Sequence, residues 1–243
     1  DRLWIEGAEG RRRFLDRTAL SFFPDHAEAS LTYEKTMRER NRLLKEQIRD
    51  AHWYRALEDQ MAQAAARIHA NRTATVEHLT KAQEQVQTAF PIAELEIQQT
   101  EGAIPTSEDD FKDAFAESRP RDIMAGRTLV GPHRSDLYGA YIAKGIPAAD
   151  CSTGEQKALL ISLILANARA LADQIGTPPI LLLDEVAAHL DANRRAALYD
   201  EICALGAQAW MTGTEDNLFE ALGDRGQYLT ITDENGISQS AAY

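Results

Sequence analysis

Two adjacent carboxylates, Asp184 and Glu185, directly follow the apolar run at residues 180–183. Prolines at positions 178 and 179 precede that run, and a short apolar run with such a boundary favours a buried strand of a parallel sheet. Ligands of open α/β sheets bind at the carboxyl ends of the strands. Asp184 could therefore hold Mg²⁺, which takes oxygen ligands and few of them from protein, and Glu185 could polarise an attacking water. The alternative is a strand that ends in a solvated acidic turn.

A second stretch with chemical potential is residues 151–157, Cys-Ser-Thr-Gly-Glu-Gln-Lys, which precedes an apolar helical segment. Ser152 is a suitable N-cap and Gly154 leaves backbone amides open, and a helix N-terminus with free amides favours phosphate. Ser152 and Glu155 equally satisfy an ordinary capping box. The order of this stretch, the 180–185 stretch and then Leu190-Asp191 resembles the signature motif, Walker B motif and D-loop of ABC-type ATPase heads.

Three further stretches narrow the resemblance. They are Arg-Arg-Arg-Phe-Leu-Asp at residues 11–16, Arg-Asn-Arg-Leu-Leu-Lys at 40–45 and Gly-Pro-His-Arg-Ser-Asp at 131–136. Each resembles an element of the RecF family of recombination mediators, which is related to SMC-type heads. Together with the two stretches above, the resemblance covers nearly the whole chain.

The resemblance implies a fold and a function. The fold is an α/β ABC-type ATPase head, P-loop NTPase-like, with a mixed or parallel sheet, flanking helices and an all-helical insertion arm. The function is that of an ATP-dependent DNA-binding mediator of recombination, repair and replication, linked to the SOS response. Such a mediator dimerises on double-stranded DNA near gaps or single/double-strand junctions, helps to load a recombinase, and has RecO and RecR as partners.

The resemblance also assigns roles to single residues. In ABC-type dimers the nucleotide lies between the P-loop of one subunit and the signature helix of the other. The cofactors would be ATP and Mg²⁺, with Asp184 as the metal ligand and Glu185 as the catalytic base. The residues expected to contact nucleotide are Ser152, Thr153, Gly154, Glu155, Gln156, Asp191 and Thr212. Thr212, or Thr214, stands where many ABC ATPases place a histidine that contacts the γ-phosphate.

One element of such a site is missing from these 243 residues. A P-loop needs Gly-x-x-x-x-Gly-Lys-Ser/Thr, so that backbone amides and the lysine hold the phosphates. Gly126 and Gly131 have the right spacing, but a proline and a histidine follow them. RecF-like proteins carry the P-loop before the Arg-Arg-x-Phe-Leu-Asp element, so the expectation is a carboxyl-terminal fragment without the P-loop lobe. The full-length parent would be a slow ATPase.

Composition sets the outer bounds. Hydrophobic residues make up 44% of the chain, which is enough for a core. The net charge of −12 argues against wholesale wrapping by DNA, although a local basic face can still steer a ligand. Two cysteines, with no secretory segment and no apolar run judged long enough to span a bilayer, favour a cytoplasmic protein without membrane contact.

The chain divides into three predicted parts: a remnant of the head lobe at 1–23, a helical hairpin arm at 24–88 with its turn near 50–54, and the ATPase head at 89–243. Strands are expected at 3–5, 93–99 and 208–211, with one hairpin built from 127–130 and 136–143, and a closing hairpin at 228–231 and 236–238 that turns at Asn235-Gly236. Residues 7–10 are expected to form a turn, and the Arg11–Arg13 triplet after it is either a solvated loop or ion-pair anchor, or a phosphate contact. The basic residues of the first arm helix form either a solvated face or a contact with the DNA backbone; they are Arg38, Arg40, Arg42, Lys45 and Arg49. His133-Arg134 either faces the nucleotide or dimer partner, or forms a turn in which Arg134 pairs with Asp136.

Two other functions compete with the mediator hypothesis. One is the ATPase subunit of a transporter, against which stand the helical arm and the absence of the histidine near Thr212. The other is a non-hydrolysing interaction module that keeps the fold without turnover.

Overall fold

The computed structural model describes residues 3–99, 102–234 and 237–242. The helices are α1 (Ala8–Phe22), α2 (His26–Lys45), α3 (Ala51–Glu84), α4 (Glu108–Ala125), α5 (Thr153–Ile175) and α6 (Ala192–Leu205). The strands are β1 (Ala93–Gln99), β2 (Ser135–Tyr141), β3 (Ile146–Pro147), β4 (Leu181–Leu183), β5 (Ala209–Met211), β6 (Leu229–Glu234) and β7 (Ile237–Ala242). Short 3-10 helices cover Pro132–Arg134, Ile142–Lys144, Ala148–Asp150, Ala187–His189 and Asp216–Arg225.

The amino-terminal segment differs from its prediction. Residues 3–5 form a turn instead of a strand, and α1 begins directly after Gly7, where a loop was expected. Trp4 is buried because its ring lies against Gly139 of β2, where any added Cβ would be 2.3 Å from a ring carbon. The segment is therefore held by an apolar contact and not by the pairing of a strand. No local sequence pattern predicts this contact.

The helical arm is confirmed as a hairpin of α2 and α3. Contacts between the helices run in opposite directions along the chain, from Arg40–Glu58 to Asp25–Arg67, so the helices are antiparallel. The turn lies a few residues earlier than predicted, because Asp50 caps α3 by accepting a hydrogen bond from the His52 amide at 2.8 Å. Apolar residues spaced three or four positions apart fill the interface, as expected of amphipathic helices. They include Tyr33, Met61, Ala65 and Ile68, and they pack together with Phe111 and Phe115 of α4.

Arg40 is a core residue, not part of the solvated basic face that its neighbours on α2 suggested. Its guanidinium is fully buried and bonds to Glu58 at 3.0 Å and to Asp122 at 2.7 Å. It also donates to the Thr128 hydroxyl and the Phe115 carbonyl. One side chain thus joins α2, α3, α4 and the loop after α4.

The second half of α3 packs on the head. Leu79 and Ala82 share a buried cluster with Ala166, Ala170 and Leu171 of α5. The arm and the head therefore share α3, and the predicted domain boundary near residue 88 stays a prediction.

The sheets are small. β1, β2 and β3 form an antiparallel sheet, β4 and β5 pair in parallel, and β6 and β7 form an antiparallel hairpin. The predicted Asn235-Gly236 turn of this hairpin lies outside the described residues. No strand forms at residues 127–130, which were expected to begin a hairpin.

The parallel pair carries the predicted Walker B strand, but only one of its faces is covered. Leu181 and Leu183 are buried against α5 and α6. Leu182 is 77% exposed, and Trp210 beside it on β5 is 56% exposed. The expectation of a buried strand in a parallel pair therefore holds for only one of its two faces. Side chains alternate across a strand, and in the described part of the chain helices cover one side.

Helix α5 is the central helix of the head and is mostly apolar. By length and composition alone it could cross a membrane, contrary to the expectation that no run is long enough. Half of its most apolar window is buried inside the protein, with Leu159 and Leu163 in one core cluster and Ile161 and Leu165 in another. Core helices of soluble proteins have the same composition, so this feature is weak evidence for a membrane span.

Candidate functional site

The carboxyl ends of β4 and β5 bring together three of the predicted site residues. The parallel register places Leu183 beside Met211, so Asp184 and Thr212 follow at the same edge. The Thr212 hydroxyl donates to Asp184 Oδ1 at 2.5 Å and accepts from the Glu185 backbone amide at 3.0 Å. Thr212 thus positions both acidic residues, which is a structural role beyond the contact with nucleotide that its sequence position suggested.

Glu185 has an unusual backbone conformation. Its φ is +54°, in the left-handed region that side-chain-bearing residues rarely adopt and that costs on the order of 1–3 kcal/mol. The hydrogen bond from its amide to Thr212 holds this conformation. Strain of this kind concentrates at functional sites, and here it falls on the predicted catalytic base.

The donor set at this edge fits Mg²⁺. Asp184 is an exposed carboxylate, and Thr212 engages only its Oδ1 oxygen. The described part of the chain contains no group of three or more His, Cys, Asp or Glu side chains placed to share a metal. The exposed Asp184 carboxylate suits Mg²⁺, which typically binds one or two protein carboxylates and fills its other positions with water and phosphate oxygens.

The predicted signature stretch begins α5 through a complete capping box. Ser152 accepts from the Glu155 amide at 3.4 Å, and Glu155 accepts from the Ser152 amide at 3.0 Å. The alternative interpretation of this stretch, an ordinary capping box, is therefore confirmed. It does not compete with a ligand role, because Ser152, Thr153 and Gly154 all stay exposed at the helix N-terminus. A Cβ added to Gly154 would meet nothing within 4 Å, so the space in front of the helix is open.

Lys144 forms an ion pair with the signature stretch, and the sequence analysis did not identify it as a site residue. Its ammonium lies 2.5 Å from Glu155. This hydrogen bond, followed in size by the bonds from Ser152, lowers the pKa of Glu155 to about 2. The pair spans eleven residues and two elements, and no spacing pattern predicts it. Glu155 is consequently an ionised anchor of the loop.

Gln156 and Asp191 have structural partners. Gln156 is buried and donates to the carbonyls of Ala149 and Cys151 at 2.9 and 3.1 Å. The side-chain amide of Gln156 therefore points into the preceding loop and not towards solvent. The predicted contact between Gln156 and nucleotide stays a prediction. Asp191 is exposed and caps α6 by accepting from the Arg194 amide at 2.9 Å.

The first arginine of the 11–13 triplet is an ion-pair anchor. Arg11 holds both oxygens of Asp136 at 2.7 Å. Asp136 is therefore not the partner of Arg134, as one alternative predicted, and Arg134 is exposed. The two other arginines of the triplet have no carboxylate within ion-pair distance in the described part of the chain.

His133 points inwards. Its Nε2 bonds to the Thr128 carbonyl at 3.2 Å, which makes Nε2 the donor, and the Tyr33 hydroxyl donates to Nδ1 at 2.8 Å. Gly131 permits this approach, because its φ is +129° and an added Cβ would be 2.1 Å from the Tyr33 hydroxyl. Burial, with help from Arg134 and Arg12, lowers the pKa of His133 to about 4.

The low pKa of His133 predicts a loss of stability in mild acid. Between its folded value of about 4 and its unfolded value of about 6.5 the unfolded chain binds the extra proton, so the free energy of unfolding falls as the pH drops. We expect a loss of about 1–2 kcal/mol between pH 7 and pH 5, since one pKa unit corresponds to about 1.4 kcal/mol. Urea unfolding at both pH values measures it. His133→Gln should remove most of this difference, whereas the exposed His52→Gln should keep it.

Comparison with known proteins places the chain in a family. A family model described as "AAA domain, putative AbiEii toxin, Type IV TA system" matches residues 9–213. A DNA replication and repair protein RecF of Rhizobium etli is 46% identical over 240 residues, which cover 96% of this chain and 64% of the relative. The chain thus spans less than two thirds of that curated relative.

Solved structures give the same fold. One described as "Structure of the recombination mediator protein RecF-ATP in RecFOR pathway" superposes with a TM-score of 0.79 at 24% identity, covering 99% of this chain and 65% of that one. An Smc head domain from Pyrococcus furiosus superposes with a TM-score of 0.50 at 16% identity over 96% of this chain and 57% of its own. These likenesses confirm the predicted fold, that of RecF and Smc heads, with a helical arm. The chain therefore belongs to this AAA domain family, in which it is a RecF-type protein.

Proposed function

We propose that this chain is part of an ATP-dependent DNA-binding mediator of recombination and repair, and that it hydrolyses ATP between two copies of itself. The observation that carries the proposal is the edge at which Thr212 fixes Asp184 and Glu185 at the ends of two parallel strands. A carboxylate pair held at this edge is what phosphoryl transfer to water requires, because its catalysis is mostly positioning and charge stabilisation.

Each group at this edge has a distinct part in the proposed reaction. Bound Mg²⁺ would neutralise charge on the phosphates, and Asp184 would hold it. Glu185 would orient the attacking water and accept its proton. Thr212 keeps both acidic residues in place through its hydroxyl. The proposed reaction also needs a phosphate cradle such as a P-loop, and residues 1–243 contain no Gly-x-x-x-x-Gly-Lys-Ser/Thr pattern.

The signature stretch would act on the nucleotide of the partner copy. Ser152, Thr153 and Gly154 are exposed at the N-terminus of α5 and face open space. A helix N-terminus binds phosphate through its free amides and its dipole. A second copy that presents its bound ATP there would close two equivalent sites around a two-fold axis. The dimer is thus proposed to depend on ATP.

The proposed setting follows the relatives. The similar structure is described as a RecF–ATP complex of the RecFOR pathway, and the similar curated proteins are DNA replication and repair proteins. For this chain we accordingly propose binding to double-stranded DNA near gaps or single/double-strand junctions, RecO and RecR as partners, a contribution to recombinase loading, and a cytoplasmic location.

Substituting Ser152 by Arg tests the proposed dimer. The variant places a bulky cation where the partner's nucleotide would dock, so ATP-induced dimerisation of the intact protein should be abolished while ATP binding by the monomer persists. Light scattering with and without ATP measures the first, and calorimetry the second. Loss of the cap should also destabilise the protein by about 1 kcal/mol.

Ser107→Arg is a matched control, because Ser107 caps α4 through the same kind of box, with Asp110. It should show the same loss of stability and dimerise normally with ATP. A Ser152→Arg protein that dimerised like the Ser107→Arg protein would leave Ser152 with only its capping role.

A further inference from the structure

A cavity of about 400 Å³ opens at the base of the arm, away from the strands that carry the carboxylates. Its walls come from α1, α2, α3 and the 132–134 turn. Two of the stretches that carry the family resemblance, 11–16 and 131–136, meet here although more than a hundred residues separate them. The first contributes Arg12 and Arg13 to the cavity wall, and the second contributes Pro132 and His133. The proposed ATP chemistry uses none of these residues.

Part of the charge in the cavity is already neutralised. Arg72 is buried and bonds to both oxygens of Asp16, at 2.7 and 2.9 Å, and to the Pro132 carbonyl and the Ser135 hydroxyl. Burial by itself would raise the pKa of Asp16, but the hydrogen bonds from His26 and Arg72 outweigh it and hold the pKa at about 2. Asp16 therefore stays ionised and cancels the charge of Arg72.

The charges of the three other arginines in the cavity are not neutralised by an ion pair. In the described ranges, no carboxylate lies within ion-pair distance of Arg12, Arg13 or Arg38. Arg12 is half-buried and makes one hydrogen bond, to the Ser135 carbonyl at 2.8 Å. Arg13 is exposed, and Arg38 is exposed and donates to the Glu34 carbonyl at 3.2 Å.

The surroundings of Arg12 strengthen this point. Burial and then the neighbouring Arg72 lower its pKa; the carboxylates of Asp136 and Glu9 oppose this shift and Arg134 adds to it, and the net direction is downward. Glu9 and Glu34 also line the cavity, so three unpaired guanidiniums face two carboxylates. His133 adds no positive charge near neutral pH, because its pKa is about 4. A half-buried cation beside other cations is stabilised by an anion that enters the cavity.

We propose that this cavity binds a phosphate group of a nucleic acid or nucleotide, held by Arg12, Arg13 and Arg38. The planar guanidinium matches phosphate oxygens in a two-pronged geometry that an ammonium lacks, and the volume admits a phosphate with its attached sugar. The choice of phosphate over another anion rests on the proposed function, which brings both DNA and ATP to the protein. The site is separate from the carboxylate edge of β4 and β5.

The test compares two double variants of the intact protein. Arg13→Gln with Arg38→Gln removes two exposed charges from the cavity. Arg17→Gln with Arg42→Gln removes two exposed charges from the same helices, α1 and α2, outside it. All four side chains are exposed, so thermal unfolding should match the wild type in both. Binding to a fluorescent duplex and to fluorescent ATP is measured across a range of salt concentrations.

The expected result is weaker duplex binding by the cavity variant alone, with the slope of log K against log salt reduced by about 2, because each lost phosphate contact removes about 0.9 from that slope. Weaker binding of ATP alone would identify the phosphate as that of a nucleotide. Equal effects of the two double variants, or none, would contradict the cavity as a phosphate site while leaving the proposed function intact. A wild-type protein that bound neither probe would contradict both.

Discussion

Replacing Glu185 by Gln in the intact protein is expected to lower the rate of ATP hydrolysis about a hundredfold or more, which is the usual contribution of a positioned general base. The side chain stays nearly isosteric and the left-handed backbone of residue 185 keeps its bond to Thr212. Mg²⁺ and nucleotide should still bind through Asp184. The expected consequence is an ATP-bound dimer that accumulates, visible by light scattering after ATP is added.

Glu215→Gln supplies the control for this experiment. Glu215 is an exposed carboxylate shortly after β5, close in sequence to Thr212, and its substitution removes the same charge with the same geometry. Turnover should stay within about twofold of wild type. If Glu185→Gln also stayed within that range, the base would lie elsewhere, and the strained backbone at residue 185 would need another explanation.

Arg40→Met is expected to destabilise the protein by about 3–5 kcal/mol, the usual cost of removing one partner from a buried ion pair. The guanidinium is fully buried between Glu58 and Asp122. Without it, Asp122 retains hydrogen bonds from the Ser118 hydroxyl and the Leu129 amide, and Glu58 retains Arg119. Glu58 thus keeps a cationic partner, whereas Asp122 becomes a buried carboxylate with no cation within ion-pair distance among the described residues. Urea unfolding followed by circular dichroism measures the change.

The Arg40 prediction has two controls. Arg42→Met, two residues further along α2 and exposed, should change the free energy of unfolding by less than about 0.5 kcal/mol. Arg40→Met combined with Asp122→Asn should recover much of the lost stability, because Asp122 then carries no buried charge and Glu58 keeps Arg119 as its partner. An Arg40→Met protein as stable as the Arg42→Met protein would show that the network contributes no stability.

Much of the local structure could be predicted because its causes are local. The capping box at Ser152, the amphipathic arm and the strand at 93–99 all follow from spacings of a few residues, and each is confirmed. The edge formed by Asp184 and Thr212 was also predictable, since parallel strands end side by side. What the sequence did not reveal is that Thr212 bonds to both acidic residues.

The failures have a common physical origin in pairs that are distant along the chain. Arg40 had the appearance of a surface residue, because its partner Asp122 lies 82 positions away. Arg11 and Asp136, 125 positions apart, exclude the predicted Arg134–Asp136 pair. Trp4 packs on Gly139 instead of extending a strand. In each case a tertiary contact overrides the local pattern, and one sequence contains no signal for it.

The central claim is that each ATP site combines the carboxylates of one copy with the signature stretch of another. Mixing Ser152→Arg protein with Glu185→Gln protein before ATP is added tests it most directly. In a mixed dimer one site has both an intact Glu185 and an intact Ser152, and the other site carries both defects. A mixed dimer has one clashing site where a Ser152→Arg pair has two, so it should still close. The account predicts that the mixture hydrolyses ATP at up to about a quarter of the wild-type rate, because random encounters pair unlike copies half of the time and each such pair has one intact site of two, while neither variant alone is active. A mixture no more active than its two components would contradict the account.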